Sequence, residues 1–344
     1  MPGYRLWRGI FAAIAGFVFL QPAAAQSDDI AAFYKGKEVA IIVAHFPGTG
    51  FDVYSRVLVR HMGRHIPGNP SMVVKNMAGA SGLTAANWLY ATAPKDGTHM
   101  GIFAHTVALE NIFGNEQARF DASKFVWVGN MEKSATFCIT TKASGVSTLA
   151  ELQQKQVIFG GTGATGPLVV LSNGIKNLLG ANIKLITGYK GALDVKAAMQ
   201  RGEVGGTCGM IWSHLRTAWK DMLDTGEINL VVQTSGDPVP GVKAAHVRDF
   251  VKSQEDAQLF GLVFMVGELG RNYALPPGVP EERVAALRKA FMATMADRQF
   301  REEAEKLGVE VVPSDGEDVA KSWRAYSSAA PATVERAKRA ITSQ

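Results

Sequence analysis

Short apolar runs and stretches of helical spacing alternate along most of this chain. Val39-Ala40-Ile41-Ile42-Val43-Ala44 is a continuous apolar run of strand length, and a glycine-bearing turn follows it. Over residues 52–62, Val53, Val57, Leu58 and Met62 fall on one face of a predicted helix. Met72-Val73-Val74 predicts the next strand, residues 83–91 the next helix, and Met100-Gly101-Ile102-Phe103 a third strand. Strands alternating with helices imply βαβ units and a mostly parallel sheet flanked by helices, an α/β class.

The same order then restarts. Strands are predicted at 137–141, 157–159, 183–186, 204–210 and 228–232, with helices at 168–179 and 194–201. Leu262-Val263-Phe264-Met265-Val266 is read as a crossing strand, and Pro276-Pro277-Gly278-Val279-Pro280 as a linker. Amphipathic helices at 281–295, 297–307 and 315–338 close the chain. Two βα sets argue for two lobes, because open α/β sheets bind ligands outside the carboxyl ends of their strands and two such ends facing each other form a cleft. The expected division is 26–133 for the first lobe, 134–263 for the second, and 264–344 for the first again. The lobes would join near 132–136 and 262–266 and hinge there.

The N-terminus bears on compartment. Arg5 and Arg8 precede an uncharged apolar stretch from 9 to 20, Pro22 breaks it, and Ala23-Ala24-Ala25 supplies small residues. That is the layout of a secretory signal peptide over 1–25, cleaved before Gln26. The run is shorter than the roughly 20 residues a bilayer span needs, and no cysteine stands at the cleavage point for a lipid anchor. A periplasmic location is expected. Processing removes Arg5 and Arg8 from a formal charge of +5, and the remaining basic residues are interleaved with acidic ones. That balance argues against a nucleic-acid partner.

Candidate chemistry is sparse. The two cysteines, Cys138 and Cys208, make no C-x-x-C and no zinc spacing, and the seven histidines form no H-E-x-x-H. His61 and His65, four apart on a helix, are expected to be solvated rather than ligands to a metal. No G-x-S-x-G and no Ser/His/Asp set appears, so the chain is not expected to be an enzyme. No cofactor and no metal are expected.

Three glycine-rich turns stand at βα positions: His45-Phe46-Pro47-Gly48-Thr49-Gly50-Phe51-Asp52, Asn76-Met77-Ala78-Gly79-Ala80-Ser81-Gly82, and Gly160-Gly161-Thr162-Gly163-Ala164-Thr165-Gly166. Glycine lets a ligand approach the main chain, and the free amides of the following helix N-terminus favour a carboxylate or phosphate. None matches G-x-x-x-x-G-K-[ST], which disfavours a nucleotide. Each turn alone also has a purely steric reading.

The stretch Phe46-Pro47-Gly48-Thr49-Gly50-Phe51-Asp52 resembles the Pro-Gly-Gly-x-x-Asp signature of the tripartite tricarboxylate transporter receptors, the Bug-type solute-binding proteins. Residues 76–82 resemble their Asn-Arg-Pro-Gly-Ala-Gly-Gly turn, and Ala93-Pro94-Lys95-Asp96-Gly97-Thr98 their Ala-x-Pro-Asp-Gly-Tyr segment. Gly160-Gly161-Thr162-Gly163 and Tyr189-Lys190-Gly191 are similar to second-lobe elements of that family. The resemblance implies a two-lobed Venus-flytrap binding protein of type II-like topology. It also implies a monomer that hands a di-, tri- or aromatic carboxylate to the subunits of a membrane permease.

The site the resemblance implies has Pro47, Gly48, Thr49, Gly50, Phe51 and Asp52 as a first clamp, with Asp52 capping its helix because like charges repel. Gly79, Ala80 and Ser81 form a second clamp. Gly161, Thr162, Thr165 and Tyr189 face the distal end of the ligand, and His105 and Gly209 complete the candidate set. Phe51, Tyr189 and Trp212 are candidates for an apolar wall, against plain core packing. Met77-Ala78 replaces the family's Arg-Pro, and Gly209 stands where an acidic residue is common, which argues against an amino-acid ligand. The family's fold also places the strand carrying Cys138 beside that carrying Cys208. A disulfide in an oxidising compartment and two buried thiols both fit. Rival functions are a co-receptor presenting its ligand to a sensor protein and a periplasmic hydrolase.

Overall fold

A computed structural model describes residues 23–133, 135–264 and 269–342. The expected signal peptide lies outside them except for Ala23-Ala24-Ala25, which open the first helix. Helix α1 (Ala23–Tyr34) leads to strand β1 (Glu38–Val43), α2 (Gly50–Met62), β2 (Ser71–Asn76), α3 (Leu83–Ala91), β3 (His99–Ile102), α4 (His105–Ile112) and β4 (Val126–Asn130). The chain then crosses into β5 (Thr136–Thr141), α5 (Leu149–Gln154), β6 (Val157–Gly160), α6 (Pro167–Leu179), β7 (Ile183–Ile186) and α7 (Ala192–Gln200). There follow β8 (Gly206–Ile211), α8 (Trp212–Arg216), α9 (Lys220–Asp224), β9 (Ile228–Ser235), β10 (Ala245–His246) and α10 (Gln254–Phe264). It returns with β11 (Asn272–Leu275), α11 (Glu281–Ala296), α12 (Arg298–Lys306), β12 (Ser314–Asp315) and α13 (Gly316–Ser327), and reaches α14 (Pro331–Ile341).

Two six-stranded sheets result, in the orders β12-β4-β11-β3-β1-β2 and β10-β9-β5-β8-β6-β7. The parallel blocks are those the alternating pattern predicts: β1 pairs in parallel with β2 and β3, and β6 with β7 and β8. Each sheet is nevertheless mixed. β11 runs antiparallel between β3 and β4, and β5 runs antiparallel between β8 and β9. Both are fully buried strands reached by a crossing from the other lobe, and their direction follows from where the chain enters the sheet.

Local chemistry sets the element ends. α5 starts on a capping box in which the Thr148 hydroxyl accepts the Glu151 amide and the Glu151 carboxylate accepts the Thr148 amide. α6 begins with Pro167 at its first turn and stops at Gly180, whose φ of 68° makes it a left-handed cap. Trp323 of α13 stacks on Trp127 of β4 with centroids 5.4 Å apart, covering one face of the first sheet.

Three sequence expectations change. Leu262-Val263-Phe264 ends helix α10 instead of forming a strand, with Met265 and Val266 outside the described residues. A short apolar run has no periodicity that separates a strand from a helix buried on several sides, and Val263 and Phe264 press against Gly174 of α6 where a Cβ would meet them at 2.6 and 3.0 Å. The helix expected over 315–338 breaks into α13 and α14 ahead of Pro331. α14 then packs on the second sheet's helices, where Asn173 and Asn177 of α6 donate to the carbonyls of Ile341 and Ala340. α14 therefore belongs to the second lobe, not the first.

Cys138 on β5 and Cys208 on β8, both fully buried, are joined in a disulfide that closes a 70-residue separation. On the chain-entropy account such a loop stabilises the fold by about 4 kcal/mol. Denatured, unreduced protein is expected to show no titratable thiol, and reduction should lower the unfolding free energy by roughly that amount. Two free thiols per chain would refute the bond.

Candidate functional site

The parallel strands of the two sheets deliver their carboxyl ends, and the helices that follow, to one cleft. In the first turn Asp52 is 2% exposed and works inward. Its Oδ2 accepts the Gly48 amide and Arg56 Nε at 2.9 and 2.8 Å, and its Oδ1 accepts Asn76 Nδ2 at 2.8 Å. Burial works to raise this carboxyl, but those hydrogen bonds outweigh it and hold it below the usual range. Asn76 also donates to the His45 carbonyl, so one carboxylate fixes the first turn to the second.

The second turn has four consecutive residues of positive φ: Gly79 at 152°, Ala80 at 45°, Ser81 at 54° and Gly82 at 107°. Alanine and serine resist that region, at a cost of order 1–3 kcal/mol each, so the shape is imposed by its surroundings. It carries the main chain over the cleft ahead of α3. Opposite it, Gly163 of the second lobe comes so close that a Cβ there would lie 2.1 Å from Ser81 Oγ, and a Cβ on Gly191 would lie 3.8 Å from Thr49 Cγ2. The lobes meet at these glycines and enclose about 490 Å³.

Thr49, Gly50, Phe51, Gly79, Ala80, Ser81, Thr162, Tyr189 and Gly209 line this space. Others in the sequence-derived set do not. Pro47 and Gly48 sit on the exposed shoulder of the turn, and Asp52 is behind it. Gly161 is spent on the fold: its amide donates to the Ile186 carbonyl, and a Cβ would meet Val169 at 2.6 Å. Thr165 is off the lining with its hydroxyl buried. His105 opens α4, and its side chain lies outside the described residues. Trp212 packs on Phe137 with centroids 5.5 Å apart instead of forming a wall. His61 and His65 are paired rather than free in solvent: His61 of α2 meets Glu303 of α12, and the half-buried His65 just after α2 meets Asp297 just before α12.

The floor of the cleft was not legible in the glycine turns. Arg271, just before β11, is 4% exposed yet borders the cavity. Its amide donates to Asn130 Oδ1 at 2.8 Å, its carbonyl accepts the Met131 amide, and its Nη1 donates to the Gly270 carbonyl at 2.8 Å. The guanidinium lies 4.4 Å from the Phe51 ring centroid and 4.7 Å from that of Tyr54, a cation–π setting. Glu132, 1% exposed, stands behind it with Oε2 at 3.6 Å from Nε, while Ser213 donates to Oε1 at 2.9 Å.

Two histidines flank this charge. His45 stacks on Phe51 with centroids 4.0 Å apart and planes 9° from parallel, and His214 lines the cavity beside Gly50. Burial, with a smaller contribution from the Arg271 charge, pushes the His45 imidazole down to about 4 and that of His214 down to about 3. Both are therefore neutral near pH 7. Charged side chains on the lining, among the described residues, are Lys190 at the mouth and Arg271 at the floor, with no aspartate or glutamate. A lone Arg in a Leu-Gly-Arg-Asn stretch carries no motif, and only its placement beside the first turn marks it.

No protein-family model matches this chain, and no curated protein matches it. Solved structures do match in fold. The periplasmic binding protein BugD is 19% identical, with 90% of this chain and 100% of that one covered and a TM-score of 0.66. An R. palustris protein with adipate is 18% identical over 89% and 97% of the two chains, with a TM-score of 0.65. MatC from Rhodopseudomonas palustris with bound malate is 16% identical over 89% and 99%, also at 0.65. The chain shares their two-lobed fold over nearly its whole length.

Two outcomes follow from this geometry. Gly163→Leu places a side chain where Ser81 stands; a serine rotation that would admit alanine cannot admit leucine. The variant should keep its thermal stability and show a larger radius of gyration by small-angle scattering, and an unchanged radius would show that Gly163 does not govern lobe contact. Separately, His45 and His214 bind protons less readily folded than unfolded, where the reference value is about 6.5. Their contribution is complete above that pH and is lost as pH falls toward 4, with a slope of at most ~1.4 kcal/mol per pH unit for each imidazole. Denaturation at pH 7.5 and 5.0 should show a smaller difference in His45→Asn and His214→Asn than in the unmodified chain. An equal difference would refute the assignment.

Proposed function

We propose that this chain is an exported receptor that captures a small organic carboxylate between its lobes, without chemistry, and delivers it to a tripartite tricarboxylate-type membrane permease. The observation that carries this reading is the charge of the cleft: peptide turns and helix N-termini converge there, Lys190 and Arg271 border it, and its lining contains no carboxylate among the described residues. An ammonium group finds no partner in such a lining, whereas an acid does. The structures with adipate and malate support a di-acid as the class to try first, and the apolar contribution of Phe51, Tyr189, Met210 and Ile211 supports aromatic acids beside them. Periplasmic residence rests on the signal-peptide layout and on BugD being a periplasmic binding protein. No helix among the described residues is long and apolar enough to cross a membrane.

Thermal melts with a panel of di-, tri- and aromatic carboxylates test the reading. At 100 times its dissociation constant, a ligand that binds only the folded state adds about 2.7 kcal/mol of stability. At least one acid should raise the melting temperature, and no shift across the panel would overturn the proposal.

A further inference from the structure

We propose that Arg271 recognises the carboxylate of the ligand directly, at the floor of the cleft, and that Glu132 is the internal counter-charge it leans on when the cleft holds no acid. The inference deepens the receptor reading above and rests on it. It names a charged anchor where the resemblance supplied only main-chain amides.

The geometry points to a guanidinium with capacity to spare. Arg271 is almost wholly buried, so its charge needs a partner, yet the partner it has is incomplete. Nε is 3.6 Å from Glu132 Oε2, and neither atom makes a hydrogen bond among the described residues. Nη1 is used by the Gly270 carbonyl. Arg271 borders the cavity, and its Nη2 is 2.9 Å from the point a Cβ on Gly50 would occupy.

Gly50 is the first residue of α2, where helical amides lack acceptors within the helix. The free edge of the guanidinium and the amide end of α2 thus meet at one point. A carboxylate on the cavity side of that meeting takes a charge-assisted hydrogen bond from Nη2 and faces the positive end of the helix. His214, whose Cε1 is also 2.9 Å from that Cβ position, is neutral and adds a polar edge without adding charge. The absence of a side chain on Gly50 is what lets the guanidinium and the imidazole come this close to the start of α2.

Glu132 explains how the charge is tolerated without ligand. Its carboxyl accepts from Ser213, and burial pushes it up against the opposing pull of Arg271. It holds the guanidinium loosely enough for an incoming acid to compete.

Isothermal titration with adipate, malate, benzoate and phthalate, each beside its fully methylated ester, tests this on four proteins: the unmodified chain, Arg271→Lys, Glu132→Gln, and the double variant Arg271→Met with Glu132→Gln. The double variant removes both buried charges together and so keeps the core neutral, with circular dichroism and melting as the fold control. For whichever acid binds the unmodified chain, the double variant should lose at least about 30-fold in affinity. It should also lose the preference for acid over ester, a ratio that a merely structural role would leave in place.

Arg271→Lys should retain part of the preference, and Glu132→Gln should bind the acid several-fold more tightly. If the acid binds and the double variant keeps its acid-over-ester ratio within threefold, Arg271 is not the anchor although the receptor reading stands. If none of the four acids binds the unmodified chain, the receptor reading falls and this proposal falls with it.

Discussion

A buried ion pair sits where the two lobes join. Glu132 lies on the segment that leaves β4 for β5, and Arg271 on the segment that returns into β11, both almost without exposure. Buried charges of this kind contribute little net stability compared with apolar packing, but removing one partner leaves an uncompensated charge and costs several kcal/mol. The pair therefore ties the two crossings to each other. Asn130 adds to the tie by accepting the Arg271 amide and donating to the Glu132 carbonyl, and Ser213 extends it into α8 of the second lobe.

The cleft is assembled around that junction. Phe51 belongs to the first turn and also carries the Arg271 guanidinium and the His45 ring on its faces. The turn that offers amides and the residue that offers charge are thus held by one aromatic side chain. Asp52, one position on, fastens the same turn to Asn76 and so to the run of positive φ at Gly79–Gly82. A strained main chain persists only where its neighbours determine it, and here those neighbours are the elements that hold the charge.

The electrostatics agree with that design. Neutral His45 and His214 beside a fixed cation leave the floor with one positive charge near pH 7. The glycines that meet across the mouth, Gly163 against Ser81 and Gly191 against Thr49, bring the two lobes to main-chain distance.

The sequence by itself determined the parallel βα blocks, because a continuous apolar run such as Val39–Val43 and the helical spacing of Val53, Val57, Leu58 and Met62 are local patterns with one low-energy outcome. It also pointed to the glycine turns, since the residues themselves state where the backbone must bend. It left the disulfide open, because pairing depends on which strands become neighbours, and that was decided when β5 inserted beside β8. Tertiary structure alone turned Leu262–Phe264 into the end of a helix, through burial against Gly174, and returned α14 to the second lobe. It alone brought Arg271 beside Gly50. Those residues are more than 200 positions apart in the chain, and no periodicity or motif encodes a contact that exists only once two crossings have been packed against each other.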